Sequence, residues 1–202
     1  MSKRVYISAD YANNGDRDVV EKLNKWGRDN LHKVDFIDMS QVVSGSVSND
    51  PDCRPCDLKR EFNQQINASS AVIFIVGDKT ASRTAGSSCS RASAPKENCS
   101  CTPYKQNTNG SKPCKVQNTS TPSKDSDVGN INTYSYLRHE FEQAKKHNNN
   151  IIILYNSLRK ETKWFPSYMK GYESVAQAFW IKNDKGEKVG NYSYIKQVLG
   201  YA

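Results

Sequence analysis

The sequence predicts an α/β fold, a doubly wound sheet of five parallel strands with helices on both faces. Short apolar runs alternate along the chain with segments whose apolar residues recur at helical spacing, which is the pattern of repeated β-α units. The runs at 71–76 and 151–155 are apolar without interruption. Such runs are typical of central strands that are buried on both faces. A chain of 202 residues is long enough to bury a core of its own.

The first half of the chain carries three predicted strands and two predicted helices. The strands are expected at residues 5–8, 34–38 and 71–76. A near-3.6 period of apolar residues predicts the first helix over about 19–31, with Asp16 or Asp18 as its N-cap. A second helix is expected to begin at Asp57 and to end near Ser69, because its apolar residues fall on one face.

The second half carries two further strands and two helices. A helix is expected over 134–147, where Leu137, Phe141 and Ala144 form an apolar stripe. The remaining elements are a fourth strand at 151–155, a fifth strand at 175–181, a turn at 184–186 and a last short helix at 192–199.

Residues 84–130 interrupt this pattern. They are rich in Ser, Thr, Asn, Lys and Pro, and Val116 and Val128 are their only large aliphatic residues. Such a segment cannot build an apolar core, and a loop of this length is unusual inside a compact domain. We therefore expect residues 1–202 to form a single domain with a polar, cysteine-containing insertion between the third strand and the following helix.

Six cysteines lie in or near this insertion. They are Cys53, Cys56, Cys89, Cys99, Cys101 and Cys114. The first two have the Cys-x-x-Cys spacing of zinc ligands, whereas the other spacings match no strong zinc pattern. In a reducing compartment clustered cysteines bind zinc more often than they form disulfides. The sequence leaves three states open for these residues: a structural zinc site, reduced or redox-active thiols, and disulfides.

The composition limits which binding partners and which cellular compartment are expected. The formal net charge is +8 and the mean hydropathy is −0.79. The basic residues are spread along the chain, which favours general solubility over nucleic-acid binding. The N-terminal segment lacks the apolar region of a secretory signal, and no apolar run is long enough to span a bilayer. We expect a cytoplasmic protein that binds neither membrane nor nucleic acid.

Candidate binding residues follow the carboxyl ends of the predicted strands, where ligands of open parallel sheets bind. They are Ser8, Ala9, Asp10 and Tyr11 after the first strand, Asp38 and Ser40 after the second, and Gly77, Asp78 and Thr80 after the third. Tyr136 and Glu140 lie one turn apart on the next helix. An aromatic residue in that position can hold a flat ligand ring beside a carboxylate, which suits a substrate that develops positive charge. From the spacing alone, an exposed glutamate is the commoner case.

Several common catalytic motifs do not occur. No Gly-rich phosphate-binding motif follows the first strand, which argues against an ordinary P-loop or Rossmann cofactor site. No Gly-x-Ser-x-Gly motif occurs. Of the three histidines, His139 and His147 lie on one predicted helix and His32 lies near a helix end, so a Ser-His-Asp or Cys-His hydrolase has few candidate residues.

Four segments, in their order and spacing, resemble a TIR domain, and more closely the TIR-like proteins of bacterial antiphage systems such as the Thoeris sensor. They are residues 3–8, 36–40, 72–80 and the sequence Tyr136-Leu-Arg-His-Glu140, which looks like the aromatic-x-x-x-Glu helix of that family. The resemblance covers roughly residues 3–83 and 131–200 and implies a flavodoxin-like sheet. The chain departs from the family in having Tyr136 where Trp is common, and in the insertion.

The resemblance implies an enzyme that cleaves NAD between nicotinamide and ribose, as a glycohydrolase or as a cyclase that makes a nucleotide signal in antiphage defence. Glu140 would be the catalytic residue. The substrate-binding residues would be Ser8, Ala9, Asp10, Tyr11, Asp38 and Tyr136. No metal or redox cofactor is needed for this chemistry, and Glu142, two residues further on, would point away from Tyr136.

The family also implies partners. They are the substrate NAD, other copies of the chain through TIR–TIR contacts, and a downstream effector protein reached through the nucleotide product. The alternative is a non-catalytic TIR scaffold or nucleotide-binding module that acts through assembly, and the insertion beside the Glu140 helix is its main support.

Overall fold

The computed structural model describes residues 3–29, 34–39, 47, 54–84, 104–107, 110–113 and 135–201. The strands are β1 (Lys3–Ser8), β2 (Val34–Asp38), β3 (Ala71–Val76), β4 (Tyr104–Asn107), β5 (Gly110–Pro113), β6 (Asn150–Tyr155), β7 (Gln177–Ala178), β8 (Trp180–Lys182) and β9 (Lys188–Gly190). The helices are α1 (Asn14–Gly27), α2 (Arg54–Asn67), α3 (Tyr136–Lys146) and α4 (Tyr192–Leu199).

Five strands form one parallel sheet in the order β2-β1-β3-β6-β7. Alternate side chains of the central strands enter two separate cores. On one face, Val5 and Ile7 pack with apolar residues of α1 and α4. On the other face, Tyr6 and Phe74 pack with α2 and α3. The predicted doubly wound, five-stranded parallel sheet is confirmed.

The helix starts differ from the predicted ones. The N-cap of α1 is Asn13, whose side chain accepts a hydrogen bond from the Gly15 amide at 2.9 Å. The prediction of Asp16 or Asp18 was therefore wrong, because the helix starts one turn earlier than its apolar stripe and Asp16 falls inside the first turn. For the same reason α2 begins at Arg54 rather than at Asp57, which lies in its first turn.

The predicted fifth strand was only partly correct. Within the segment 175–181, only the two residues of β7 pair with β6. The chain then turns away from the sheet, and β8 forms an antiparallel hairpin with β9 across the predicted turn, where Gly186 has φ +78°. Val175, at the predicted start of the strand, is 45% exposed and lies outside the pairing with β6.

Part of the predicted insertion lies in the described residues. Its backbone contains the antiparallel hairpin β4–β5. Cys56 is buried in the first turn of α2, whereas the other five cysteines lie outside the described residues. In the described part of the chain, no group of three or more His, Cys, Asp or Glu residues is arranged to hold a metal ion. No described helix is both long and apolar enough to cross a membrane.

Candidate active site

The Glu140 side chain lies between α3 and the carboxyl end of β1. Ser135 caps α3 and accepts a hydrogen bond from the Arg138 amide at 3.0 Å, which fixes where the helix begins. Glu140 then lies in the second turn of the helix and is only 5% exposed. Tyr6 and Ser8 share the face of β1 that meets α3, because side chains two apart on a strand point the same way.

Both carboxyl oxygens of Glu140 accept a hydrogen bond from a hydroxyl group of β1. The Tyr6 phenol donates to Oε1 at 2.6 Å, and the Ser8 hydroxyl donates to Oε2. Burial raises the pKa of Glu140 to about 7, and the two hydrogen bonds oppose part of this rise by favouring the charged form. The carboxyl group can therefore change its charge near neutral pH.

Glu140 borders a cleft of about 300 Å³. The cleft is lined by Ala9, Asp10, Tyr11, Ala12, Met39, Phe62, Arg83, Thr84, Ser135, Tyr136, Leu137 and Glu140. The Tyr136 ring lies one helical turn before Glu140 and packs edge-on against Phe62, with ring centroids 5.6 Å apart. The cleft thus combines an aromatic wall with a buried carboxyl group, whereas the spacing alone had favoured an exposed glutamate.

The loop between β1 and α1 forms another wall of this cleft. The Arg83 guanidinium donates a hydrogen bond to Asp10 Oδ2 in an ion pair. Asp10 Oδ1 accepts from the Ala12 amide at 3.1 Å. The pair joins the loop after β1 to the segment after β3, so that a guanidinium group lies at the wall of the cleft.

Asp38 lies in a neighbouring cleft rather than beside Glu140. Its two oxygens accept hydrogen bonds from the Tyr11 phenol at 2.8 Å and from Asn24 Nδ2 at 2.7 Å. This second cleft has a volume of about 500 Å³ and shares Tyr11 with the first. Burial raises the pKa of Tyr11 well above its usual value, and the Asp38 carboxylate raises it further.

Residues 6–85 match the family model of the TIR-like domain of Thoeris protein ThsB. Over this segment the chain is similar to a ThsB-type TIR-like domain. The family is associated with defence, and the five-stranded parallel sheet is its flavodoxin-like fold. The matched segment includes Tyr6, Ser8 and the Asp10–Arg83 pair, and ends before α3. Comparisons with curated proteins and with solved structures found no match.

A cluster of polar side chains around the buried Asp16 supports the β1–α1 loop of the TIR-like domain from behind. Asp16 Oδ2 accepts a hydrogen bond from the Asp10 amide at 3.1 Å, and Asp16 Oδ1 accepts from Asn156 Nδ2 at 2.5 Å. Asn13 Nδ2 donates to Asp78 at 2.6 Å. A Cβ at Gly77 would lie only 2.6 Å from Asp16 Oδ1. Burial raises the pKa of Asp16 to about 7.

The TIR-like domain brings most of the predicted site residues together. Ala9, Asp10, Tyr11, Tyr136 and Glu140 line one cleft. Ser8 is fully buried and touches Glu140 instead of lining the cleft, whereas Asp38 lies in the second cleft. Gly77 and Thr80 hold the turn after β3, where the Gly77 amide donates to Thr80 Oγ1 at 2.8 Å. Ser40 lies outside the described residues.

Sequence reasoning missed Tyr6 and Arg83 as site residues. Tyr6 had a signal, since it stands two residues before Ser8 on the same face of β1. Arg83 had none, because it follows a short turn with no repeating pattern. Glu142, the competitor of Glu140, pairs with Lys145 at 3.6 Å on the surface of α3 and is 41% exposed. This position agrees with the prediction that Glu142 points away from Tyr136.

Proposed function

We propose that this TIR-like domain cleaves the bond between nicotinamide and ribose in NAD, with Glu140 as the catalytic residue. The observation that carries the proposal is the buried Glu140 carboxyl, held by the hydroxyls of Tyr6 and Ser8 at the wall of a cleft. A buried carboxyl with a raised pKa in a cleft is a common feature of catalytic sites.

The chemistry needs a negative charge beside the reacting ribose carbon. When the glycosidic bond breaks, its electron pair moves to the nicotinamide nitrogen and neutralises the positive charge there. The ribose carbon becomes oxocarbenium-like, as in glycoside cleavage. The ionised Glu140 carboxylate would stabilise that charge and accept a hydrogen bond from a ribose hydroxyl. Water, or a nucleophile of the nucleotide itself, would then attack the carbon and release a proton.

Other residues of the cleft would orient the substrate. The Tyr136 ring, braced by Phe62, would pack against a flat ring of the substrate. Ala9, Asp10 and Tyr11 would line the ribose side of the cleft. Ser8 would act through Glu140 by holding its carboxylate, which makes Ser8 a positioning residue.

The remaining parts of the proposal rest on the resemblance to TIR-like proteins of antiphage systems. The product would be ADP-ribose or a cyclic nucleotide that reaches a downstream effector protein in antiphage defence. Assembly through TIR–TIR contacts would accompany activity in the cytoplasm. A structural zinc ion at the cysteines around the insertion is a separate proposal, and metal analysis of protein purified without added zinc tests it.

The activity is tested by incubating the purified protein with NAD, at dilute and at high protein concentration, and identifying the products by mass spectrometry. We expect free nicotinamide together with an ADP-ribose-derived nucleotide, formed faster at high concentration if assembly is required. Intact NAD at every concentration, in a protein shown to be folded and assembled, would favour the alternative of a non-catalytic scaffold.

A further inference from the structure

The second cleft runs along one face of α1. It is lined by Tyr11, Arg17, Val20, Glu21, Asn24, Lys25, Arg28 and Asp38. Arg17, Glu21, Asn24 and Arg28 follow one another at steps of four, three and four residues, so they form a single stripe on the helix. At 1.5 Å per residue this stripe is about 16 Å long. Tyr11 stands at its border with the Glu140 cleft, because its side chain lines both.

The charges of this cleft suit phosphate groups. Arg17, Lys25 and Arg28 are exposed, and no carboxylate in the described part of the chain forms an ion pair with any of them. Arg17 uses one N–H group in a hydrogen bond to Asn14 Oδ1 at 2.7 Å, which leaves the other donors of its guanidinium available. Guanidinium and ammonium groups of this kind bind phosphate oxygens through charge-assisted hydrogen bonds.

The three cations of the cleft outnumber its two carboxylates, Glu21 and Asp38, so one net positive charge remains. Both oxygens of Asp38 accept hydrogen bonds, from Tyr11 and Asn24. Glu21 lies on the stripe between Arg17 and Arg28 and can accept hydrogen bonds from ribose hydroxyls. Val20 supplies an apolar floor. The cleft therefore offers partners for phosphates, a sugar and a flat base.

The first cleft is small for a whole dinucleotide. A volume of about 300 Å³ is at the lower end of the range, roughly 300–1,000 Å³, for sites that hold a single drug-sized ligand. A dinucleotide has two nucleoside halves joined by a diphosphate, and a second cleft beside the first offers room for the other half. The second cleft, with about 500 Å³, adjoins it at Tyr11.

We propose that the cleft along α1 binds a nucleoside diphosphate, as the half of the dinucleotide substrate that does not react, with Arg17, Lys25 and Arg28 around its phosphates. The proposal rests on the proposed cleavage of NAD at Glu140. Recognition of the remote half would hold the glycosidic bond against the carboxylate, because binding energy from non-reacting parts of a substrate serves to position the reacting part.

The first test uses ADP as the probe and needs no turnover. Binding is measured by calorimetry for the wild type, the Arg17→Ala/Arg28→Ala double variant, and the Lys182→Ala/Lys185→Ala double variant, which loses the same charge from exposed positions of the β8–β9 hairpin. We expect the Kd for ADP to rise at least about tenfold in the first double variant only. The Glu140→Gln protein should bind ADP as the wild type does. Equal ADP binding by the wild type and both double variants, or no ADP binding by the folded wild type, would overturn the proposal.

The second test separates a substrate half from an independent nucleotide site. Initial rates are compared for NAD and for nicotinamide mononucleotide, which has the same scissile bond but lacks the second nucleotide half. The informative quantity is the ratio of kcat/KM for NAD to kcat/KM for the mononucleotide. In the Arg17→Ala/Arg28→Ala protein this ratio should be at least about tenfold lower than in the wild type. An unchanged ratio with weakened ADP binding would refute the substrate assignment. Absence of NAD cleavage by the folded and assembled wild type would instead refute the proposed function, and ADP binding would still decide whether the cleft holds a nucleoside diphosphate.

Discussion

The Tyr6 phenol donates a 2.6 Å hydrogen bond to Glu140 Oε1, although 134 positions separate the two residues in the chain. Ser8, on the same face of β1, donates to the other oxygen of the same carboxyl group. The first strand of the sheet therefore fixes the orientation of a carboxyl group on α3. Because these donors favour the ionised form while burial opposes it, they control how much carboxylate is present at neutral pH.

Replacing Tyr6 with Phe should weaken catalysis without removing the core contact of the ring. The change deletes one hydrogen bond to a charged group, which contributes about 1.5–3 kcal/mol. We expect kcat/KM for NAD to fall about tenfold or more, and the pKa of Glu140 to rise. Steady-state nicotinamide release across pH measures both effects. Tyr155→Phe is the matched control, because Tyr155 is a buried tyrosine of β6 with no hydrogen bond to Glu140; an equal loss in both variants would contradict the assigned role of Tyr6.

The activity of the wild type should rise with pH through about 7. Glu140 acts as a carboxylate in the proposed chemistry, and burial raises its pKa to about 7. Well below that pKa the carboxylate fraction, and with it kcat/KM, should fall about tenfold for each pH unit. Initial rates of nicotinamide release between pH 5 and 9 check this. A kcat/KM that falls as pH rises through 7 would rule out Glu140 carboxylate as the active form.

Glu140 should reduce the stability of the folded protein at high pH. Its pKa is about 7 when folded and near 4.5 when unfolded, so between these values the folded state binds more protons and stability falls as pH rises. The full difference amounts to about 3 kcal/mol above pH 7. Glu140→Gln removes this dependence. The free energy of unfolding of the variant minus that of the wild type should therefore be larger at pH 8 than at pH 5. Denaturant unfolding at both pH values measures the gain.

The surface residue Glu142 provides the control for that comparison. It has the same chemistry on the same helix but is 41% exposed and pairs with Lys145. Glu142→Gln should leave the pH dependence of unfolding as it is in the wild type. A Glu140→Gln protein with the same pH dependence as Glu142→Gln would show that the Glu140 carboxyl is not desolvated.

Gly77→Ala should disturb the polar cluster around Asp16 behind the β1–α1 loop. The added Cβ would lie 2.6 Å from Asp16 Oδ1 and 2.7 Å from Asn156 Nδ2, so both side chains must move. We expect a loss of about 1–3 kcal/mol in the free energy of unfolding, as for other overpacked sites, together with a higher KM for NAD because Asp10 loses its support. Thermal unfolding and steady-state kinetics measure these effects. A fully stable variant with unchanged KM would show that the cluster does not hold the loop.

The sheet could be predicted from sequence because its signals are local. The uninterrupted apolar runs of β3 and β6 predict buried parallel strands, and the stripe of Leu137, Phe141 and Ala144 predicts the helix that carries Glu140. The short extent of the edge strand β7 could not be predicted, since its pairing with β6 ends where the chain turns into a hairpin, and that depends on neighbours distant in sequence.

Most site residues that could be predicted are those that come directly after the strands in the sequence. The candidates after β1 and the Tyr136–Glu140 pair meet at one cleft because parallel strands end on the same edge of a sheet. Burial of Glu140 was not predictable, since from helical spacing alone an exposed glutamate is the commoner case. The Asp10–Arg83 pair joins two loops, and no periodic pattern indicates a contact between loops.

The comparison of nicotinamide release by the Glu140→Gln and Glu142→Gln proteins tests the central claim most directly. Both variants remove one carboxylate from α3, yet of the two only Glu140 lines the cleft and accepts hydrogen bonds from Tyr6 and Ser8. We expect Glu142→Gln to release nicotinamide from NAD at the wild-type rate, and Glu140→Gln to be at least about a hundredfold slower, because the charge that stabilises the transition state is gone. Equal rates for the two variants, in a preparation whose wild type cleaves NAD, would remove Glu140 from the mechanism.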